Sequence, residues 1–454
     1  MRILRAEHAL TAQGWRRDVA VSIGEDGRIA GISDDAAAGA TRVGVLLPAP
    51  VNLHSHAFQR AMAGLTERRG EDPSDNFWTW RKLMFRFLDQ LSPDDVEAIA
   101  AFVQMEMLEA GYSTVAEFHY LHHQPGGAPY DDLAELARRI CAAARETGIG
   151  LTLLPVLYQQ GGCDGRPLTA GQIRFGNDPE RFARLYRLCE QEVGGLAPDC
   201  TIGVAPHSLR AISREGLDAA VALAPGKPLH MHVAEQVAEV EEVEAAWGRR
   251  PVEWLFDNYG VDRRWCFIHA TQMQPHETEM LAASGAVAGL CPITESSLGD
   301  GIFDARRYLA HRGHFGIGSD SNIRISLAEE LRTLEYSQRL RDRARAVLAT
   351  PEKSTGRVML DGVTAGGARA GGRDSGTIEP GKWADLVALD ADALDLAGRD
   401  GDTLIDSFIF AGDSSMVRDV WAAGRHVVTG GRHRRHDAIV ARYRAAIASL
   451  KERL

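Results

Sequence analysis

Short apolar, β-branched runs recur through the middle of the chain, each ending in a polar tip and followed by a stretch of helical character. They occupy residues 43–56, 112–120, 149–158, 201–209, 228–235, 265–271, 286–294 and 315–322. Nearly continuous apolar character in short runs suits strands buried on both faces, as in a parallel sheet. Eight such strand–helix units predict a closed (β/α)8 barrel, a TIM barrel of the α/β class, rather than an open sheet.

The intervening segments carry helix punctuation. Ser92-Pro93-Asp94-Asp95 offers an N-cap, a proline at the first helical position and acidic residues in the first turn, and Gly111 is placed to end that helix. Residues 235–247 read as an acidic helix with a solvated face. The two ends of the chain differ from the middle. Residues 18–32 alternate around Glu25-Asp26-Gly27, a hairpin signal, and residues 383–390 and 416–429 again read as strands. This pattern predicts a small β-sandwich domain built from both termini. Its parts are 1–47 and 371–454, the latter with a terminal helix, and the barrel spans 48–370. The glycine-rich stretch 366–376 lacks a P-loop lysine and reads as a linker. The basic run 432–436 reads as solvated.

Composition narrows the class. With 51 Lys and Arg against 62 Asp and Glu, the formal charge of −11 argues against a general nucleic-acid binder. Six scattered cysteines without a Cys-x-x-Cys pair read as free thiols of a reducing compartment. The N-terminus breaks into charge before a signal-peptide core forms, and no apolar run reaches the roughly 18 residues of a membrane span. The expectation is a cytoplasmic protein that does not meet membranes.

In a barrel the chemistry sits at the C-terminal ends of the strands. The first run ends in His54-Ser55-His56, the fifth in His230-Met231-His232-Val233-Ala234-Glu235, the sixth in His269 and the eighth in Ser319-Asp320-Ser321-Asn322. On a strand, residues i and i+2 face the same way, so both imidazoles of the first run can point at one ion. Two histidines from one strand, a third from another and an aspartate make a nitrogen- and oxygen-rich site that suits Zn2+, with iron as the alternative. Taken singly, each of these has a structural reading. His230 lies deeper and reads as a core histidine, and His122 and His123 read as loop histidines. The cluster Phe77, Trp78, Trp80, Phe85 and Phe87 reads as helix core, part of it able to wall or cover the site.

With these residues in place, the chain resembles the amidohydrolase superfamily along nearly its whole length. The C-terminal string Gly376-Thr377-Ile378-Glu379-Pro380-Gly381-Lys382-Trp383-Ala384-Asp385-Leu386-Val387 strengthens the resemblance. Dinuclear members bridge two metals with a carboxylated lysine, and this chain has no lysine between Lys82 and Lys227. It is therefore similar to the mononuclear, deaminase-type branch. Within that branch it most resembles the formiminoglutamate deiminases, through His54-Ser55-His56-Ala57-Phe58-Gln59-Arg60, Phe77-Trp78-Thr79-Trp80-Arg81, Glu117-Phe118-His119-Tyr120, Ala205-Pro206-His207-Ser208-Leu209-Arg210 and Gly318-Ser319-Asp320-Ser321-Asn322.

The resemblance implies one zinc held by His54, His56, His232 and Asp320. It further implies Asp320 as base for the attacking water, Glu235 as proton donor to the imine nitrogen, and His269 as a non-ligand that orients the water. The implied reaction is hydrolysis of a formimino group to a formyl group and ammonia. The roles of Asp320 and Glu235 stay exchangeable at this point. The implied partner is a small-molecule dicarboxylate, with Arg210, Arg81 and Tyr120 as its clamps and Gln59 and His207 as further polar contacts. A homodimer is also implied. Two other readings stand beside this one: a related zinc aminohydrolase acting on guanine or an s-triazine, and a non-catalytic scaffold that kept the barrel.

Overall fold

The computed structural model describes residues 1–35, 39–67 and 77–453. Eight parallel strands coincide with the eight apolar runs. Val51–Ser55, Thr114–His119, Gly150–Leu157 and a fourth strand split into Thr201–Ile202 and Ala205–Pro206 form one arc. Leu229–Val233, Trp265–His269, Val287–Leu290 and His314–Ile317 form the other. Parallel bridges Val204–Leu229 and Ser55–Asp320 join the arcs and close the barrel. At the second junction His56 N–H donates to the Asp320 carbonyl and Asp320 N–H to the His54 carbonyl, each at 2.9 Å. Closing the barrel and bringing His54, His56 and Asp320 together are thus one event.

The first run contains two strands. Pro48 and Pro50 interrupt it, since proline cannot donate to a ladder. The piece Thr41–Pro48 joins the terminal β domain instead. There it pairs with Arg2–Thr11 on one side and with the C-terminal strand Leu386–Leu389 on the other, inside an eight-stranded mixed sheet. Leu4, Val21, Ile29, Leu46 and Trp421 are among the residues of this domain's own core. The expected hairpin forms between Gly14–Ile23 and Ile29–Ser33. Gly27 in its turn has φ +81°, and a Cβ there would meet the Ala423 carbonyl at 2.3 Å.

The glycine-rich stretch is not simply a linker. A helix runs over Thr355–Ala370 and includes Gly366 and Gly367. A Cβ on Gly366 would lie 1.8 Å from the Phe315 carbonyl oxygen. The helix therefore lies directly on the eighth barrel strand, and this contact offsets the roughly 1 kcal/mol that a helical glycine costs. The basic run 432–436 is also less solvated than its composition suggests. His433 is buried and its Nε2 lies 2.8 Å from the Thr147 carbonyl, while His436 pairs with Glu109 at 2.7 Å. Ser92 caps the helix Pro93–Glu109 in a full capping box, as expected.

A buried ion network ties the two parts of the chain together. Arg373 reaches Asp385 through Nε at 2.5 Å and Asp199 through Nη2 at 2.8 Å, and Arg425 also donates to Asp199. Asp385 additionally accepts from Ala423 N–H at 2.8 Å, which gives a physical reason for the aspartate in the C-terminal string. Replacing Asp385 by alanine leaves a buried guanidinium one partner short. The expected loss is about 3–5 kcal/mol of unfolding free energy, read from urea denaturation. Among the described residues, no helix is long and apolar enough to cross a membrane.

Candidate active site

The ends of the first, fifth and eighth strands place His54, His56, His232 and Asp320 so that one donor atom from each lies within 4.8 Å of the others, all buried. His54 Nε2 and His56 Nε2 are 3.2 Å apart, and Asp320 Oδ1 lies 3.4 Å and 3.3 Å from them. Second contacts orient two of the rings. His56 Nδ1 faces the Phe118 carbonyl at 3.1 Å and His232 Nδ1 the His207 carbonyl at 3.2 Å. An N–H donated to each carbonyl turns the Nε2 lone pair inward. Burial disfavours the imidazolium, pushing His54 down to about 3 and lowering His56 and His232. Neutral imidazoles whose lone pairs converge repel one another unless a cation sits between them. Bonds of about 2.0–2.1 Å to one ion such as zinc bring neighbouring ligand atoms roughly 3.3–3.4 Å apart, close to the separations among His54, His56 and Asp320. The donor set fits one divalent metal.

Backbone strain collects here. Ala234, His269, Asp320 and Asn322 have φ of +53°, +67°, +46° and +55°, a left-handed conformation that L-residues hold only when their surroundings enforce it. Around Asp320 the enforcement is visible. Asn52 Nδ2 donates to Ser319 Oγ and Ser319 Oγ to Asn322 Oδ1, each at 2.6 Å, while Asn322 Nδ2 reaches Ser55 Oγ at 3.1 Å.

Beside this cluster, His269 Nε2 lies 3.8 Å from Asp320 Oδ2 and 3.9 Å from Glu235 Oε1. Its Nδ1 faces Glu295 Oε1 at 3.2 Å. Burial opposes charge on His269, but Glu235, Glu295 and Asp320 outweigh it and raise its pKa well above the ordinary range. Burial also pushes Glu235 up to about 7, against the opposing influence of His269. Glu239 accepts from the backbone N–H of Ala234 at 3.2 Å and of Glu235 at 2.9 Å. The acidic helix, Val237–Trp247, is therefore not solvated throughout, because Glu239 turns inward and fixes the strand tip.

A pocket opens onto these groups, and Gln59, Arg81, Tyr120, His207 and Arg210 all line it. Gln59 Nε2 donates to the Tyr120 hydroxyl at 2.9 Å, and the His207 ring stacks on His232 at 4.9 Å. Arg81 Nη2 donates to the Tyr158 hydroxyl at 2.7 Å. Trp80, Met84, Tyr158, Phe175 and Leu298 complete the wall. Of the expected aromatic cluster, Trp80 does line the pocket, whereas the side chains of Phe77 and Trp78 lie outside the described residues. His230 is a core histidine bonded to the Ala370 carbonyl at 2.8 Å. His122 and His123 follow the second strand but are buried. Tyr158, Glu239 and Glu295 were not singled out from sequence. The one available hint is that Tyr158 closes the third apolar run as Tyr120 closes the second.

Residues 45–427 match the family model described as "Amidohydrolase family", and residues 1–42 match "Formimidoylglutamate deiminase HutF, N-terminal domain". A formimidoylglutamate deiminase of Pseudomonas aeruginosa is 49% identical over 95% of this chain and 96% of its own length. The crystal structure of an amidohydrolase from Brucella melitensis superposes with a TM-score of 0.95 at 47% identity, covering 99% of this chain and 100% of that one. An adenosine deaminase from Xanthomonas campestris, with bound zinc, shares the fold at a TM-score of 0.83 and 22% identity, covering 99% of this chain and 98% of its own.

Proposed function

This chain belongs to the amidohydrolase family, and from that premise we propose that it hydrolyses N-formimino-L-glutamate to N-formyl-L-glutamate and ammonia. The observation that carries the substrate assignment is that Arg81 and Arg210 line the same pocket as the His–Asp cluster. Guanidiniums there match a dicarboxylate, in a protein whose overall charge of −11 would otherwise repel one. The 49% identity to a formimidoylglutamate deiminase supports the same reading. Incubating metal-loaded protein with N-formimino-L-glutamate tests it: ammonia and N-formyl-L-glutamate should appear in equal amounts, and their absence would refute the assignment.

His54, His56, His232 and Asp320 are assigned as holders of a single metal, and the nitrogen-rich donor set favours zinc over iron. The metal, when bound, supplies Lewis acidity that makes water nucleophilic near neutral pH. Asp320 offers Oδ1 to the cluster and turns Oδ2 toward His269, so its second oxygen takes a proton from the attacking water. Glu235 delivers a proton to the imine nitrogen, which makes the amidine carbon electrophilic. The proton that Asp320 took from water then passes to the same nitrogen, which leaves as ammonia while the hydroxyl proton on the carbon's oxygen returns to Glu235. His269, steadied by Glu295, orients the water and stabilises charge on the tetrahedral carbon's oxygen. Gln59, Tyr120 and His207 fix the substrate between the arginines and the reacting carbon.

The acid role of Glu235 has a sign that can be measured. Its pKa is raised to about 7, so the donating form dominates below that pH and kcat should fall as pH rises through it. Glu235→Gln should abolish this limb and lower kcat about 10²–10⁴-fold. A pH–rate profile in which the variant keeps the same limb would remove Glu235 from this role.

A further inference from the structure

The helix Phe77–Leu88 carries Trp80, Arg81 and Met84 into the pocket wall. A short segment after the third barrel strand, Ala170–Arg174, grips that helix at two places. Arg174 is fully buried. Its guanidinium donates through Nη1 to the carbonyl of Leu88, the last residue of the helix. It also donates through Nη2 to the Leu91 carbonyl at 3.3 Å and through Nε to the His123 carbonyl at 2.8 Å. The Arg174 carbonyl in turn accepts from the backbone N–H of His122 at 3.1 Å and of His123 at 3.0 Å. One residue thus joins the end of the helix to the segment that follows the second barrel strand. The other grip is Gly171, where a Cβ would stand 2.7 Å from the Cβ of Phe85.

The three acceptors of this guanidinium are all carbonyls, and none is a carboxylate. Burying a charge without a counter-ion is costly, and apolar packing would have served if filling space were the only task. What the guanidinium adds is a rigid fork that fixes three carbonyls at once, one of them at the negative end of a helix. We propose that Arg174 is a positioning residue for substrate binding: by seating the helix Phe77–Leu88 against the barrel it sets where Arg81 meets a substrate carboxylate. The carboxylate identity of the ligand rests on the substrate reading above. Arg81 precedes Leu88 by seven residues, about two turns, so both lie on one face of the helix roughly 10 Å apart along its axis. A shift at the anchored end is therefore carried to Arg81. The metal cluster is fixed separately, by the barrel ladder between the His54–His56 segment and Asp320 and by the His207 carbonyl behind His232. Loosening the anchor thus weakens the hold on the carboxylate and leaves the reacting end in place.

The test compares the metal-loaded protein with Arg174→Met and Gly171→Ala, each made alone and together with Arg81→Met. Arg174→Met should raise KM for N-formimino-L-glutamate about tenfold with kcat within about threefold, and leave kcat/KM for an uncharged formamidine within about twofold. Gly171→Ala pushes on Phe85 and keeps the guanidinium, so it should shift KM the same way by a smaller factor. In the Arg81→Met background neither substitution should raise KM further, because both act through Arg81. An unchanged KM, equal losses for the charged and uncharged substrates, or an additive double variant would overturn the proposal. Should Arg174→Met fail to fold, Gly171→Ala in the two backgrounds decides alone. Calorimetric titration with glutarate, a dicarboxylate with no reacting group, reads the same role without turnover, and its affinity should weaken by the same factor as KM. Glutarate binding that weakens in the variants of a protein that does not deiminate N-formimino-L-glutamate would support the role of Arg174 while refuting the substrate assignment. No glutarate binding by the unsubstituted protein would refute both.

Discussion

Asp320→Asn is expected to lower kcat for N-formimino-L-glutamate by about 10⁴-fold, even with metal in excess. Asparagine is nearly isosteric and can keep the backbone bridge to the first strand, in which residue 320 takes part through its N–H and carbonyl groups alone. What it cannot keep is the division of labour in the carboxylate, with Oδ1 turned to His54 and His56 and Oδ2 toward His269. One oxygen becomes an amide NH₂, which neither accepts a proton from water nor pairs with a cation. Metal content by atomic emission and a thermal melt, run beside the kinetics, separate loss of base from loss of metal or fold. A variant within tenfold of the parent in kcat would mean that another group takes the proton.

Arg210→Met is the second large effect. Arg210 is buried and lines the pocket, so methionine fills similar volume while removing the charge. The expected loss in kcat/KM for N-formimino-L-glutamate is about 10²–10³-fold, the cost of leaving a substrate carboxylate desolvated and unpaired. Most of it should fall on KM, because the carboxylate is bound alike in ground and transition states. The ratio of kcat/KM for the dicarboxylate to that for an uncharged formamidine should collapse by the same factor. An unchanged ratio would place the carboxylate elsewhere in the pocket.

The barrel was legible because strands buried on both faces leave unbroken apolar runs, and because their polar tips fall where a barrel does its chemistry. His54 and His56 could be paired from their spacing alone, since a strand repeats every two residues. Other features depend on contacts between distant segments that no local pattern encodes. Gly366 reads as a breaker until Phe315 is known to lie against it. Glu239 sits in an acidic stretch that reads as solvated, and only the positive φ of Ala234 shows why a carboxylate must brace that strand tip. Tyr158 sits in no motif. Its place in the site emerges only when Arg81 and Gln172, from two distant segments, each bring its hydroxyl a donor. The sheet joining both termini was foreseen from alternation, but its register through Thr41–Pro48 and Leu386–Leu389 was not.

The central claim is that a metal-dependent deaminating centre has been directed to a dicarboxylate by Arg81 and Arg210. The most direct measurement is kcat/KM of the metal-loaded protein for N-formimino-L-glutamate, set against guanine and an uncharged formamidine. The account requires the glutamate derivative to be preferred by at least about 10³-fold, because an uncharged competitor leaves both guanidiniums without a carboxylate. Faster ammonia release from guanine, or equal release from the uncharged formamidine, would contradict it.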